Sequence, residues 1–392
     1  MNILSIRAIS IDGLRALTMF LMIFVNDVAG VGNIPDWLKH SRADFDGMGF
    51  SDLIFPVFLF IVGLSLPLGL GNKMQRGKST LSILRYVCGR SLALIVMGFF
   101  HVNLENYDHQ SAFLAYPVYS LLLTASFFLI WTDNSSGRMT SNVQLMLISG
   151  GVVLLIFLTF LYRGGTPVHP IGLRPQWWGI LGIIGWAYLV SSLIFLIIQG
   201  KFSLLFLAFL AFALINVGAH LGLLDFYVPV IGNASSIVPV LAGACISLLY
   251  VNFTAQQKWK HMWFLFSFYG LLAIAFGMFI RSYTGGISKI YGTPSWVFIC
   301  LGVSILTFEA MVWLMDVKGK SAWLKPIKSA GTSTLTCYLI PYLLYAALNL
   351  MKLEFPDYLN NGLLGICRSF VIAVAVIGIV SVMEKNKLRL KI

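Results

Sequence analysis

The chain has 392 residues, 58% of them hydrophobic and 11% charged, with a mean hydropathy of +0.85. Soluble domains carry about 25% charged residues, so the composition excludes an ordinary soluble domain and describes an all-α bundle that crosses a membrane many times. The formal charge of +12 fits Lys and Arg gathered in loops beside anionic lipid, which makes the bilayer the expected partner and nucleic acid not one.

Apolar runs recur along the chain at the length of a membrane span. Twelve spans are expected, at residues 10–30, 51–71, 82–101, 111–131, 143–162, 175–198, 202–222, 234–252, 262–281, 293–315, 329–349 and 362–383. Helix is the default for each, because a backbone in lipid must satisfy its own hydrogen bonds. The gaps are too short for a soluble domain, so residues 1–392 read as a single integral-membrane domain, and the first run reads as a retained span rather than a cleaved signal. With the N-terminus inside, inner segments take most of the 27 Lys and Arg, among them Arg7, Arg15, Lys73, Arg76, Lys78, Arg85, Arg138 and the runs Lys318–Lys328 and Lys385–Lys391. Outer segments take few, including Lys39, Arg42 and Lys289. This bias predicts both termini inside and the loop after the first span outside.

The first span opens on Asp12 and Arg15, three apart on one helix face, which either pair or simply cap the helix start. It ends on Asn26, an amide that needs a partner in an apolar setting. The following loop gathers His40, Asp44, Asp46 and Asp52. A histidine's ordinary pKa of about 6.5 suits a nucleophile or base, and a neighbouring carboxylate can set its tautomer. Asp52 is the partner expected for His40. Its place at a helix N-terminus, where negative charge is favoured, accounts for it equally well without chemistry. Span three ends in His101-Val102-Asn103, approaching from the same side as His40. No metal-ligand spacing is present, so no metal is expected.

Beyond the third span the signals thin out. Gly179, Gly182 and Gly185 stand at helix-contact spacing. Glu309 is an acid within a span, and no partner for it is evident. Lys318, Lys320, Lys325 and Lys328 follow the tenth span and either hold donor phosphates or are plain inner-side charge. The five cysteines lie in or beside apolar spans without a Cys-x-x-Cys pair and read as small buried residues.

Residues Ser10-Ile11-Asp12-Gly13-Leu14-Arg15, Phe24-Val25-Asn26, Lys39-His40, Asp52-Leu53-Ile54-Phe55-Pro56, Phe60-Ile61-Val62-Gly63, Arg90-Ser91, Val102-Asn103 and Asp316-Val317-Lys318-Gly319 together resemble the heparan-α-glucosaminide N-acetyltransferase family, in particular its bacterial relatives. The opening is also like that of a broader set of membrane acyltransferases that modify glycans. The resemblance implies transfer of acetyl from cytoplasmic acetyl-CoA to the amine of a glucosamine-type sugar on the far side of a bacterial inner membrane, with the His40 loop facing the periplasm. It implies His40 as acetyl acceptor or general base, with Asn26 and Asp52 beside it. His101, Asn103 and Asp46 are then expected at the acceptor, and Arg15, Arg90, Lys318 and Lys320 at coenzyme A. Residues 111–162 stand as an insertion relative to the animal enzyme, and Gly331-Thr332-Ser333-Thr334 departs from the family's late pattern. A homodimer is compatible with the glycine-rich helix faces. A small-solute transporter and a glycan O-acyltransferase are the alternatives.

Overall fold

A computed structural model describes residues 9–134, 139–224 and 230–392. Arg7 and Arg138, expected among the inner charges, lie outside the described residues. The helices are α1 (Ile9–Val28), α2 (Ser51–Leu66), α3 (Thr80–Asn103), α4 (Tyr116–Trp131), α5 (Ser141–Leu161), α6 (Gly179–Ile197), α7 (Phe202–His220), α8 (Ile237–Ala255), α9 (Trp259–Ile280), α10 (Pro294–Met311), α11 (Thr334–Leu350) and α12 (Gly362–Lys385). The described β-structure is a two-stranded ribbon, Gly164–Gly165 against Pro170–Ile171. The chain is thus an all-α integral membrane protein.

Among the described residues, ten helices are long and apolar enough to cross a bilayer. The expected fourth span is α4, whose 16 residues fall short of the roughly 20 that a typical bilayer needs. The expected eleventh is a bent pair: Ala322–Thr332 meets α11 at 77°, with Ser333 between them at φ −126° and ψ 45°. Two spans run on as wider π-turns, Pro67–Gly71 after α2 and Val312–Val317 after α10.

Helix α1 is the hub. It packs on α2, α11, α12 and the short helix Lys328–Thr332, and buries residues on every side. A helix that is apolar all round belongs in the middle of a bundle. Helices α5, α7 and α9 bury few of their side chains, as a lipid-facing ring should. Glycine sets the closest crossings. A Cβ at Gly63 on α2 would stand 2.0 Å from the carbonyl oxygen of Val240 on α8, and one at Gly243 would stand 2.1 Å from that of Phe60. Gly98 of α3 and Gly182 of α6 touch in the same way. Small residues let membrane helices approach until dispersion contacts hold them.

Candidate functional site

The His40 loop is folded back on the start of α2. Leu38 closes a short 3-10 turn, and its carbonyl accepts from Ser51 Oγ at 2.6 Å. Phe50 N donates to Trp37 O at 2.6 Å. The contact requires Gly49, because a Cβ there would lie 1.9 Å from Lys39 O. This hairpin lays His40 over Asp52.

Asp52 is fully buried. Its Oδ2 accepts from Ser41 N at 2.9 Å and Gly49 N at 3.0 Å, and its Oδ1 lies 2.7 Å from His40 Nδ1. Pro56, four residues on, has no N–H to give the Asp52 carbonyl, and Trp296 Nε1 of α10 donates to that oxygen instead, at 3.3 Å. Loop amides therefore fix the carboxylate, and a distant tryptophan fixes the main chain that carries it. With its proton on Nδ1, His40 donates to Asp52, and Nε2 keeps its lone pair for a substrate.

A third group completes the cluster. Lys289 Nζ stands 3.1 Å from His40 Nδ1 and 3.7 Å from Asp52 Oδ1. Burial pushes its pKa below the ordinary lysine value, against the pull of Asp52. Asp46 holds the Lys289 loop in place. It accepts from Ile287 N at 2.7 Å and from Arg281 Nε at 2.9 Å, while Gly47 N donates to Ile287 O at 3.1 Å. The Ile287 amide and the Arg281 guanidinium hold the Asp46 carboxyl below the usual carboxylate range.

Two cavities flank α1. One of about 680 Å³ is lined by His40, Asn26, Asp27, His101, Glu105, Trp177, Tyr342, Tyr345 and Arg368, among others. The other, of about 420 Å³, is lined by Arg15, Arg90, Ser65, Tyr86, Tyr188 and Lys391, among others. Arg15 lies near the start of α1 and bonds Ser65 at the end of α2, at 2.7 Å, so the two helices run antiparallel. The cavities therefore sit at opposite ends of the bundle. Met19 and Tyr338 line both.

The sequence-expected residues separate into those that reach a cavity and those that do not. His40, Asn26 and His101 share the larger one. His101 is stacked on Tyr342, with centroids 4.2 Å apart, and neither ring nitrogen has a hydrogen-bond partner. Asn103 does not reach it: it is fully buried, bonds Phe99 O one turn back in α3, and ties α3 to the segment before α6 through Arg174 O and Arg174 N. Asp46 also stands away from the cavity, as the brace just described. Arg15 and Arg90 line the smaller cavity, with Arg15 3.1 Å from Asp12 and Arg90 Nη1 3.2 Å from Tyr86 OH. Lys318 and Lys320 are exposed and outside it. Lys391 lines it instead.

Sequence reasoning assigned no role to Lys289, nor to a buried cluster in the larger cavity. There Asp27 pairs with Arg368 at 3.1 Å and accepts from Ser369 Oγ at 2.5 Å and from Tyr345 OH. Opposite charges within two spans were the available signal for that cluster. None existed for Lys289, which lies 249 positions from His40.

A family model described as "Domain of unknown function (DUF5009)" matches residues 7–221. Heparan-alpha-glucosaminide N-acetyltransferase of Mus musculus is 39% identical over 94 residues, 24% of this chain. That of Homo sapiens is 38% identical over 98 residues, 25% of this chain. The alignments take in only 13% and 14% of those relatives' own lengths. With more than half its length matched, the chain belongs to the DUF5009 family, and it is a relative of the heparan-alpha-glucosaminide N-acetyltransferases.

Proposed function

We propose that this protein is a membrane N-acetyltransferase. It takes acetyl from acetyl-CoA at the Arg15–Arg90 end of the bundle and delivers it to the amine of a glucosamine-type sugar at the His40 end. The observation that carries this is the pair of cavities at opposite ends of α1, sharing Met19 and Tyr338 as walls. A carrier that exposes one central site to each side in turn has no need of a cavity-facing histidine held on a buried aspartate at one end. The reaction has that need.

At the donor end the smaller cavity offers two guanidinium groups and Lys391 for phosphate, beside the apolar side chains of Met19, Met22, Phe58 and Leu94 for the pantetheine arm. Lys318 and Lys320 lie outside that cavity, so the donor's nucleotide contacts are assigned to Arg15, Arg90 and Lys391. At the acceptor end Trp177, Tyr116 and Tyr342 give sugar-stacking faces, and Asn26, Asp27, Glu105 and His101 give polar ones.

His40 Nε2 acts in one of two ways. As nucleophile it attacks the thioester carbon, the C–S bond breaks, and the amine later takes acetyl from the imidazole. As base it accepts the amine's proton while the amine attacks the thioester directly. The positive-inside bias supports the donor end as cytoplasmic and the His40 end as outside, in a bacterial cell facing the periplasm.

The test is transfer from labelled acetyl-CoA to a panel of amino sugars by purified protein and by His40→Ala. Transfer to a glucosamine amine that disappears in the variant is the expected result. Label held by the protein without acceptor identifies the nucleophilic route. A base-labile ester product assigns an O-acyltransferase. Folded protein that does not bind acetyl-CoA overturns the transferase reading and leaves a transporter.

A further inference from the structure

We propose that Lys289 is a proton-exchanging partner of His40, built into the site by the 3.1 Å approach of its Nζ to His40 Nδ1 and the 3.7 Å approach to Asp52 Oδ1. The proposal rests on the transferase reading for its chemistry, although its geometry does not.

Nδ1 holds one proton or one lone pair, never both. Asp52 suits the first state, because a carboxylate accepts. Lys289 suits the second, because an ammonium donates. Both partners stand at the same nitrogen, so each tautomer of His40 has a neighbour ready for it. Burial lowers the Lys289 pKa against the pull of Asp52, and once deprotonated its amine accepts the proton that an ammonium would later return. Asp52 is poorly placed to take that proton itself, since Ser41 N and Gly49 N both donate to its carboxylate and favour its charged form.

The proton account closes. The sugar amine loses a proton to His40 Nε2 as it attacks the thioester. The Nδ1–H bond breaks as a Nζ–H bond forms, so His40 stays neutral in its other tautomer and Lys289 carries the charge beside Asp52. When the C–S bond breaks, the coenzyme A thiolate takes the Nε2 proton and Nδ1 recovers its own from Lys289. The net change is amine plus thioester to amide plus thiol, with His40 and Lys289 as they began.

The neighbours of this exchange are few. His40 meets Asp52 and Lys289, and shares its cavity with Glu105, His101 and the Asp27–Arg368 pair. Lys289 meets Asp52, His40 and Cys300 of α10. Asp46 and Arg281, on the adjoining segments, are spent on each other and on Ile287 N. Lys289 acts through His40 and is a positioning residue; it need not touch the sugar.

The test compares Lys289→Met and Lys289→Arg with the parent across pH, beside 15N spectra of histidine-labelled protein. Methionine removes the proton exchange and arginine keeps only the charge, because a guanidinium does not release its proton in proteins. Both are expected to lower kcat by about 100-fold, the lower end of the range for general acid–base catalysis, with KM for acetyl-CoA unchanged. Both should abolish the rise of rate with pH that accompanies Lys289 deprotonation. In the parent, the 15N shifts of His40 should move between the two neutral tautomers as Lys289 titrates, and in Lys289→Met they should stay with the Nδ1–H form. A wild-type rate and pH profile in Lys289→Arg overturns the proposal, as does a parent tautomer that ignores pH. If the parent transfers acetyl to no acceptor, the transferase reading fails, and the spectra still decide whether Lys289 governs the His40 proton.

Discussion

Asp52 decides whether His40 is useful. Its carboxylate accepts from two backbone amides and from Nδ1, and only an acceptor there holds the proton on Nδ1. Asp52→Asn keeps the size and offers an NH₂ where the carboxylate oxygen stood, which invites the other tautomer. We expect kcat to fall by about 10²- to 10⁴-fold with acetyl-CoA binding retained, by the logic of a mis-tautomerised catalytic histidine. Rate and binding measured on one preparation check it. The neighbouring Asp46 gives a pH signature. Its carboxyl is held below the usual range, first by the Ile287 amide and then by Arg281, so the folded state favours its ionised form. That contribution is complete above the unfolded value of about 4 and disappears as pH falls through the lower folded value. Melting of Asp46→Asn should thus lie below the parent at pH 7, and the two should converge on acidification. A gap that is constant with pH would refute this. The His40–Asp52 pair was legible in the sequence because the residues stand twelve apart, in a short loop and at a helix start. Lys289 was illegible because only the packing of α10 on α2, with α9 on α10, brings their connecting loop there.

At the scale of helices, apolar run length told where elements lie, and their packing partners were hidden. Gly63 belongs to a stretch legible as a span, yet nothing in the linear pattern says that it faces Val240 O. The structure shows that it has no room for a methyl group, since backbone rather than a pliable side chain stands 2.0 Å from its Cβ position. Gly63→Ala should cost about 1–3 kcal/mol as overpacking, read as a lower melting temperature in detergent. Gly69→Ala, where no atom lies within 4 Å, should stay close to the parent. The Asp27–Arg368 pair joins α1 to α12 in the same hidden way. Removing the guanidinium alone leaves a buried carboxylate without its countercharge, a loss of about 3–5 kcal/mol. Arg368→Met should therefore unfold more readily than the double variant Asp27→Asn with Arg368→Met, and additive effects in that cycle would show the pair to be uncoupled. Run length also failed at the bend before α11. Ser333 breaks the helix there, in a stretch that is otherwise continuous in hydropathy.

Across the whole molecule the proposed reaction requires acetyl to pass between two ends. Arg15 and Arg90 lie at one end and His40 at the other, and neither cavity spans the bundle. Met19 and Tyr338 are the side chains on both walls. Met19 stands in the middle of α1, and a thioether with three rotatable bonds yields readily to a passing chain. If the pantetheine arm reaches toward His40 along this line, bulk at Met19 should separate binding from transfer. Met19→Trp is expected to keep acetyl-CoA binding at Arg15 and Arg90 within a few-fold and to lower transfer to the sugar by at least 10-fold, an obstruction of about 1.4 kcal/mol or more at the reacting geometry. Met19→Ala should keep both, because it widens the passage without moving the arginines. Labelled acetyl-CoA binding and sugar transfer, measured side by side, read the two effects separately. Equal losses of binding and transfer in Met19→Trp would place Met19 in the donor site alone. Full transfer despite the indole would mean that acetyl travels by a route not bounded by these two side chains.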